Sequence, residues 1–530
     1  MKRTTLLTSM TGLALVASSA LSACVINTNK VEEPDEAPAE EPKEEKVAER
    51  VYPDPPPPTE PRPVNFPELQ TFTLNNGLAV YVVENHEVPL VDIQLVHKAG
   101  DVYDEQLATM TADILLEGTA GRKGLEKAEI DERIESVGAS LNSYSDTFSS
   151  TLSTRVMKQD LAMALDLIAE VASNPKFDKD ALEKLKDEAK VGLRNEKSTG
   201  QGLGSRLLGQ LLYPEGHPYG RPFATEEMID KISTDELQRF HKTYYVPNNA
   251  FLLLSGDITP DEAKALVEKE MGKLKPAESF PAHPLMKFKG EDYQAAKPKE
   301  LTVHIVDRKS ISTEIFVGNL SLARNHGDWI KWTVTNKILG AGIGSRLFQD
   351  VRETRKLTYG IFSTVVPSKA VGAFIIGTQT KEVDQMMDAI FEHIERIRGE
   401  DPTEEEFNKA RTSLAQSFPL QIETAGQVAN QVEAQLTYGL ADDYFATYRD
   451  EVLKVEMADV KATAAKWIDP NPVIVMVGRK SKITKAISRV EELKDAKVVV
   501  YDTELEVIEG GSKAAGTMTS KPKTETGPAK

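Results

Sequence analysis

The segment Tyr244-Tyr-Val-Pro-Asn-Asn-Ala-Phe-Leu-Leu-Leu-Ser-Gly256 returns near the end of the sequence as Trp467-Ile-Asp-Pro-Asn-Pro-Val-Ile-Val-Met-Val-Gly478. Both consist of an aromatic residue, a Pro-Asn turn and an apolar strand closed by glycine. Pro247 and Pro470 lie 223 residues apart, and so do Leu115 and Ile338, which open the similar runs Leu-Leu-Glu-Gly-Thr-Ala-Gly and Ile-Leu-Gly-Ala-Gly-Ile-Gly. The helical segment from Asp160 to Ser173 corresponds to Asp384 to Ile397 at an offset of 224. A near-constant period of this length describes duplication of a whole domain rather than a solenoid of short repeats. The folded mass is then two similar bodies, each with its own core.

Within each half the apolar periods mix. Residues 78–82 and 91–97 alternate as strands, with Asn75-Asn76-Gly77 as the turn before the first. Residues 106–117, 159–173, 178–196 and 260–273 keep helical spacing, and Asp160, Asp178 and Thr259, the last followed by Pro260, stand where N-caps belong. The order β-β-α-β-α-α with one-faced strands predicts an α+β fold: two homologous halves, each a layered mixed or largely antiparallel sheet with helices on one face. The halves are read as 66–290 and 291–505, and the polar stretch 506–530 as a disordered tail.

The N-terminus reads as an address. Lys2 and Arg3 precede an apolar run from Leu6 to Ala20, followed by Leu21-Ser22-Ala23-Cys24, the order of an export signal over 1–23. Thr8, Ser9, Thr11 and Gly12 interrupt the run, which falls short of the ~20 apolar residues of a membrane span. Leu-Ser-Ala-Cys resembles the bacterial lipobox, which implies cleavage before Cys24, acylation of that residue and a lipid anchor; Val25 after it points to the outer membrane of the cell envelope, facing the periplasm. Residues 24–65 are rich in Glu and Pro and predict an extended tether, reaching at most ~130 Å at a polyproline rise of ~3.1 Å per residue. Cys24 is the only cysteine, so an intrachain disulfide and a thiolate zinc site are both excluded. With 82 acidic against 64 basic residues and a net charge of −18, nucleic acid is not an expected partner.

Several pieces carry a family resemblance: Thr73-Leu-Asn-Asn-Gly-Leu-Ala-Val-Tyr-Val, Leu115-Leu-Glu-Gly-Thr, Leu211-Leu-Tyr-Pro-Glu-Gly-His-Pro-Tyr-Gly-Arg-Pro222, the Tyr-Tyr-Val-Pro-Asn-Asn turn, Gly344-Ser-Arg-Leu-Phe and Val351-Arg-Glu-Thr-Arg-Lys-Leu-Thr-Tyr359. In their order and spacing the sequence resembles the pitrilysin/insulinase family of zinc metallopeptidases, over nearly all of 66–505. The resemblance implies a clam-shell of two homologous halves around a chamber. Active members place a His-x-x-Glu-His helix before the Glu-Gly-Thr turn: two imidazoles one helical turn apart hold zinc and the glutamate is general base. Here Thr109 and Asp113 stand at the histidine positions and Ala112 at the base position. Glu188 and Glu196 lie near the place of the family's further glutamate ligand and, without imidazole partners, read as solvated helix residues. The eight histidines, His86, His97, His217, His241, His283, His304, His326 and His393, include no two spaced by three to five residues. No metal and no cofactor is expected in this chain, and no catalytic residue.

What the resemblance leaves in use is a pair in the second half. Arg352 and Tyr359, seven residues apart, match the Arg and Tyr that family members direct at substrate, where a guanidinium can bind a peptide carboxylate or carbonyl and a phenol can donate to a developing oxyanion. Gly340-Ala-Gly-Ile-Gly344 has neither the GxGxxG spacing nor the lysine of a phosphate loop and corresponds to a flexible inter-element loop of the family. His217-Pro-Tyr-Gly-Arg221 reads as a packed turn. Bacterial members often occur as pairs, one chain with the zinc motif and one with the Arg/Tyr pair. The expectation is therefore a lipid-anchored, non-catalytic subunit that pairs with a zinc-bearing relative, the zinc sitting in that partner, and helps bind unfolded, extended peptides. A scaffolding protein, a stand-alone peptide-binding lipoprotein and a peptidase with atypical ligands are the rival readings.

Overall fold

The computed structural model describes residues 66–120 and 124–510; the export signal, Cys24, the tether and residues 511–530 of the expected tail lie outside them, whereas Val507–Glu509, expected as disordered tail, form a strand paired with Lys497–Tyr501. The first half runs β1 (Gln70–Thr73), β2 (Ala79–Glu84), β3 (Leu90–His97), α1 (Glu105–Ile114), α2 (Lys127–Glu135), β4 (Asn142–Ser145), β5 (Ser150–Met157), α3 (Leu161–Ser173), α4 (Lys179–Ser198), α5 (Gly200–Leu212), α6 (Glu226–Asp230), α7 (Thr234–Tyr244), β6 (Ala250–Gly256), α8 (Pro260–Met271) and α9 (Gly290–Ala295). The second runs β7 (Thr302–Asp307), β8 (Thr313–Ser321), α10 (Trp329–Leu339), a π-helical turn (Phe348–Thr354), β9 (Ile361–Val366), β10 (Gly372–Thr380), α11 (Val383–Gly399), α12 (Glu404–Ser417), α13 (Ala425–Tyr438), α14 (Tyr444–Lys454), α15 (Met457–Trp467), β11 (Val473–Gly478), α16 (Lys480–Ile487), β12 (Lys497–Tyr501) and β13 (Val507–Glu509).

Two sheets result, ordered β1-β2-β6-β3-β5-β4 and β13-β12-β7-β11-β8-β10-β9. Striking out β1, β12 and β13 leaves the same five-strand order twice. In each five-strand set the end pair, β2 with β6 and β7 with β11, is parallel and the other pairs are antiparallel; β12 adds to β7 in parallel as well. The 223-residue period of the sequence is thus a period of topology.

Each sheet buries one face against its own helices. Val80, Val82, Ile93, Leu95, Leu252 and Leu254 form one core with Leu165, Ile168 and Val267 of α3 and α8. Val303, Ile305, Ile315 and Ile474 form the other with Trp332, Ile390 and Ala464 of α10, α11 and α15. The expectation that helices lie on one face only is incomplete: the opposite face of each sheet is covered by a helix from the other half. Leu203, Leu207, Leu208 and Leu212 of α5 pack on Phe316, Val473, Val475 and Val477 of the second sheet. Reciprocally, Val428, Ala429 and Val432 of α13 pack on Val83 and Leu253 of the first. Strands β6 and β11 are therefore buried at every residue, as their unbroken apolar runs require.

The two exchanged helices are counterparts. Thr199 and Thr424 cap them through the backbone N–H groups of Gly202 and Gln427. Gly426 brings α13 against Arg155 and Asp92 of the first sheet, and Gly204 brings α5 against the Phe316 ring. Hydrogen bonds from Ser255 to the Ala425 carbonyl at 2.9 Å and from Gln94 to Asn430 at 3.0 Å complete the α13 seat.

Of the three expected caps, Asp178 accepts from the N–H groups of Asp180 and Ala181, and Thr259 forms a capping box with Glu262. Asp160 does not cap. It ends a 3-10 turn, Lys158–Asp160, and is itself in helical geometry, so its side chain is not directed back at the N–H groups of the first turn. Among the described residues no helix is long and apolar enough to cross a membrane.

Candidate functional site

α1 enters from a loop held by Arg221, whose guanidinium donates to the carbonyls of Asp101, Val102 and Tyr103. Asp104 then caps the helix by accepting from the Leu107 N–H at 3.0 Å. Arg221 belongs to the expected packed turn, and His217 confirms that reading: it is buried, caps Tyr219 through Nδ1 and meets the Tyr293 hydroxyl at 3.1 Å.

On α1, Thr109 and Asp113 are one turn apart and partly buried, and Ala112 is fully buried, its carbonyl accepting from Ser143 Oγ at 2.5 Å. Burial pushes the Asp113 carboxyl up to about 7, and the nearby charges of Glu188 on α4 and Glu117 push the same way. Glu188 and Asp113 are thus brought together. Glu196 is not: it is committed elsewhere, with Arg206 of α5 donating to it at 3.0 Å and to Glu105 at 3.1 Å. Reading Glu196 as a solvated residue was wrong, because Arg206, 14% exposed, ties the start of α1 to the end of α4 and lies over the Phe223 ring.

A tetrahedral zinc site takes nitrogen or sulfur donors with a carboxylate in support. The residues here offer a hydroxyl, two mutually repelling carboxylates and a buried methyl group, and do not fit that ion. No group of three His, Cys, Asp or Glu side chains among the described residues is placed to hold a metal. Histidines separated in sequence do approach each other: His97 and His241 both stack on Tyr245, at 4.6 and 5.0 Å. Both are held neutral by burial, His97 down to about 3 and His241 down to about 4. Sequence spacing could not show this pair.

In the second half the Arg352–Tyr359 segment is fastened from behind. Asp350 accepts from His393 at 2.9 Å and from Arg355 at 3.0 Å, and Val351 is buried. The Leu357 carbonyl accepts from Thr380 Oγ1 at 2.8 Å, and Thr358 Oγ1 donates to the Gln379 carbonyl at 2.7 Å. Arg352 lies over the Phe348 ring, its side chain 42% exposed, and Tyr359 is 97% exposed in the loop before β9. No hydrogen bond or ion pair links either to Thr109, Ala112 or Asp113, which sit in the other half. The neighbouring loop is firmer at its base than a flexible connection: Ser363 N–H bonds to the Gly340 carbonyl, and the buried Arg346 holds Glu406 in a two-pronged pair, its guanidinium pulling that carboxyl down to about 2. Its tip presents Ile343, 73% exposed.

Comparison with known families gives two matches: Insulinase (Peptidase family M16) over residues 79–200, and Peptidase M16 inactive domain over residues 231–414. The chain is made of M16 insulinase-family domains. Among its M16 relatives are an uncharacterized zinc protease of Mycobacterium leprae, 26% identical over 62% of this chain and 72% of the relative. Another is the non-peptidase homolog YmxG of Helicobacter pylori, 25% identical over 71% of this chain and 86% of the relative. The crystal structure of a peptidase M16 inactive domain from Pseudomonas fluorescens superposes with a TM-score of 0.69 at 26% identity, covering 78% of this chain and 98% of that one. These matches support an inactive M16-family protein.

Proposed function

We propose that this M16 chain is a non-catalytic subunit, anchored in the bacterial envelope through a lipid on Cys24, that pairs with a zinc-bearing M16 relative and grips extended peptides for it. The observation that carries the reading is the contrast between the halves. The motif helix presents Thr109, Ala112 and Asp113, whereas Arg352 and the almost fully exposed Tyr359 project from a segment fixed by Asp350, Val351, Thr358 and Thr380. A fixed backbone under exposed donors supports a role toward a molecule outside the chain, since ordering entropy is already met. Exposed Ile343 beside it supports a partner or substrate contact with an apolar component.

The test is reconstitution. Purified alone, the chain is expected to carry no stoichiometric zinc and to leave quenched-fluorescent peptides intact. Mixed with a zinc-bearing M16 partner from the same cell, it is expected to form a complex whose cleavage rate falls at least tenfold with Arg352→Ala or Tyr359→Ala. Chelator-sensitive cleavage by the chain alone would overturn the reading, and a complex indifferent to both substitutions would make the subunit architectural.

A further inference from the structure

The second half contains a cavity of about 270 Å³ at a place that the duplication makes informative. Taking the 223-residue period, Thr109 and Asp113 of α1 correspond to Trp332 and Asn336 of α10, and both line this cavity. Taking the capping threonines Thr199 and Thr424 as the register of α5 and α13, Glu196 and Arg206 correspond to Gln421 and Gln431, which line it too. The cavity thus lies at the second half's counterpart of the α1, α4 and α5 cluster, with the ionic positions of Asp113, Glu196 and Arg206 occupied by the neutral Asn336, Gln421 and Gln431 and that of Thr109 by Trp332.

Its walls are aromatic: Trp329, Trp332, Phe418, Phe445 and Tyr448. Phe418 and Tyr448 are 4.9 Å apart and Phe418 and Phe445 stack at 6.3 Å. One charged group lines it. Arg324 lies over the rings of Trp329 at 4.7 Å and Tyr444 at 4.8 Å and donates to the Tyr444 hydroxyl at 2.9 Å. Two aromatic faces fix the guanidinium plane. Among the described residues no carboxylate is paired with Arg324, whereas the partly buried or buried Arg206, Arg346 and Arg355 each have one. The buried indole N–H of Trp332 also has no acceptor, and Asn336 is occupied by two hydrogen bonds with Ser363. An aromatic box can take a cationic ligand, but a fixed arginine repels one. Phosphate recognition gathers several donors or a helix N-terminus, and here a single guanidinium stands in apolar surroundings. A planar carboxylate satisfies that guanidinium, and an apolar body fills the walls.

We propose that this cavity binds a carboxylate carried on an apolar body about the size of one amino-acid residue, whether the C-terminal residue of a peptide or a free aromatic or aliphatic acid. The inference uses neither Arg352 nor Tyr359 and does not depend on a partner chain.

Trp329 and Trp332 are two of the three tryptophans, so intrinsic fluorescence of the full chain reports occupancy. Titration with N-acetylphenylalanine is expected to saturate, and its amide to bind at least tenfold more weakly. Arg324→Gln is expected to erase the preference for acid over amide, Arg324→Lys to keep part of it, and Trp332→Phe to weaken the acid severalfold, each with an unchanged far-ultraviolet circular dichroism spectrum showing the fold intact. A peptide ending in free phenylalanine that binds tighter than the single residue identifies chain ends as the source; equal affinity identifies the free acid, and both uphold the site. Absence of saturation by 10 mM acid, equal affinity of acid and amide, or an acid preference that survives Arg324→Gln overturns it.

Discussion

Asp113 carries the cost of a carboxyl buried beside other carboxylates. Its carboxyl, lifted from an ordinary 3.8 to about 7 mainly by burial, binds its proton more tightly in the folded state than in the unfolded one. Between those values the folded chain holds the extra proton, so stability falls as pH rises from about 4 and the loss is complete above about 7. At about 1.4 kcal/mol per pH unit the loss is at most roughly 4 kcal/mol. Asp113→Asn keeps the shape and removes the charge, so it is expected to raise stability by up to that amount at pH 8 and to change little at pH 4, read as urea midpoints at the two values. That Thr109 and Asp113 share one face of α1 was legible in the sequence because residues one turn apart lie together on a helix. The competing commitment of Glu196 was not, since Arg206 and Glu105 reach it only after α1, α4 and α5 have packed.

Among the elements that sequence periodicity missed are the two that matter most to how the halves join. α5 contains Gly200, Gly202, Gly204 and Gly209, a composition that reads as loop because each glycine costs a helix about 1 kcal/mol relative to alanine. The structure gives the reason for at least one: a Cβ at Gly204 would sit 2.2 Å from the Phe316 ring. Gly204→Val is therefore expected to destabilise by about 1–3 kcal/mol through overpacking. Gly192, in α4 with nothing near its absent Cβ, is the control: Gly192→Ala is expected to stabilise by about 0.5–1 kcal/mol. Denaturant unfolding of both variants distinguishes a helix glycine kept for contact from one that is merely tolerated. Strands β2 and β3 and helices α3, α4 and α8 were legible because their apolar positions face a core within their own half. The faces of α5 and α13 point at a sheet far away in sequence, where no local period can announce the partner.

Exchange of helices makes the two halves one cooperative body. Paired domains that meet through modest polar surfaces move and unfold separately, but a large apolar contact couples them. Here a first-half helix supplies part of the second sheet's buried face and a second-half helix supplies part of the first's. Trp329, Trp332 and Trp467, the chain's three tryptophans, all lie in the second half, so their fluorescence follows that half while far-ultraviolet circular dichroism follows both. The two signals are expected to change at one denaturant concentration. Ile168, fully buried on α3, gives the stronger test. It belongs to the first half both by sequence and by packing, and Ile168→Ala removes core volume worth about 2–5 kcal/mol. If the halves are coupled as the packing indicates, the tryptophan transition moves down together with the dichroism transition. If the halves unfold independently, the tryptophan signal stays where it was and the two curves separate.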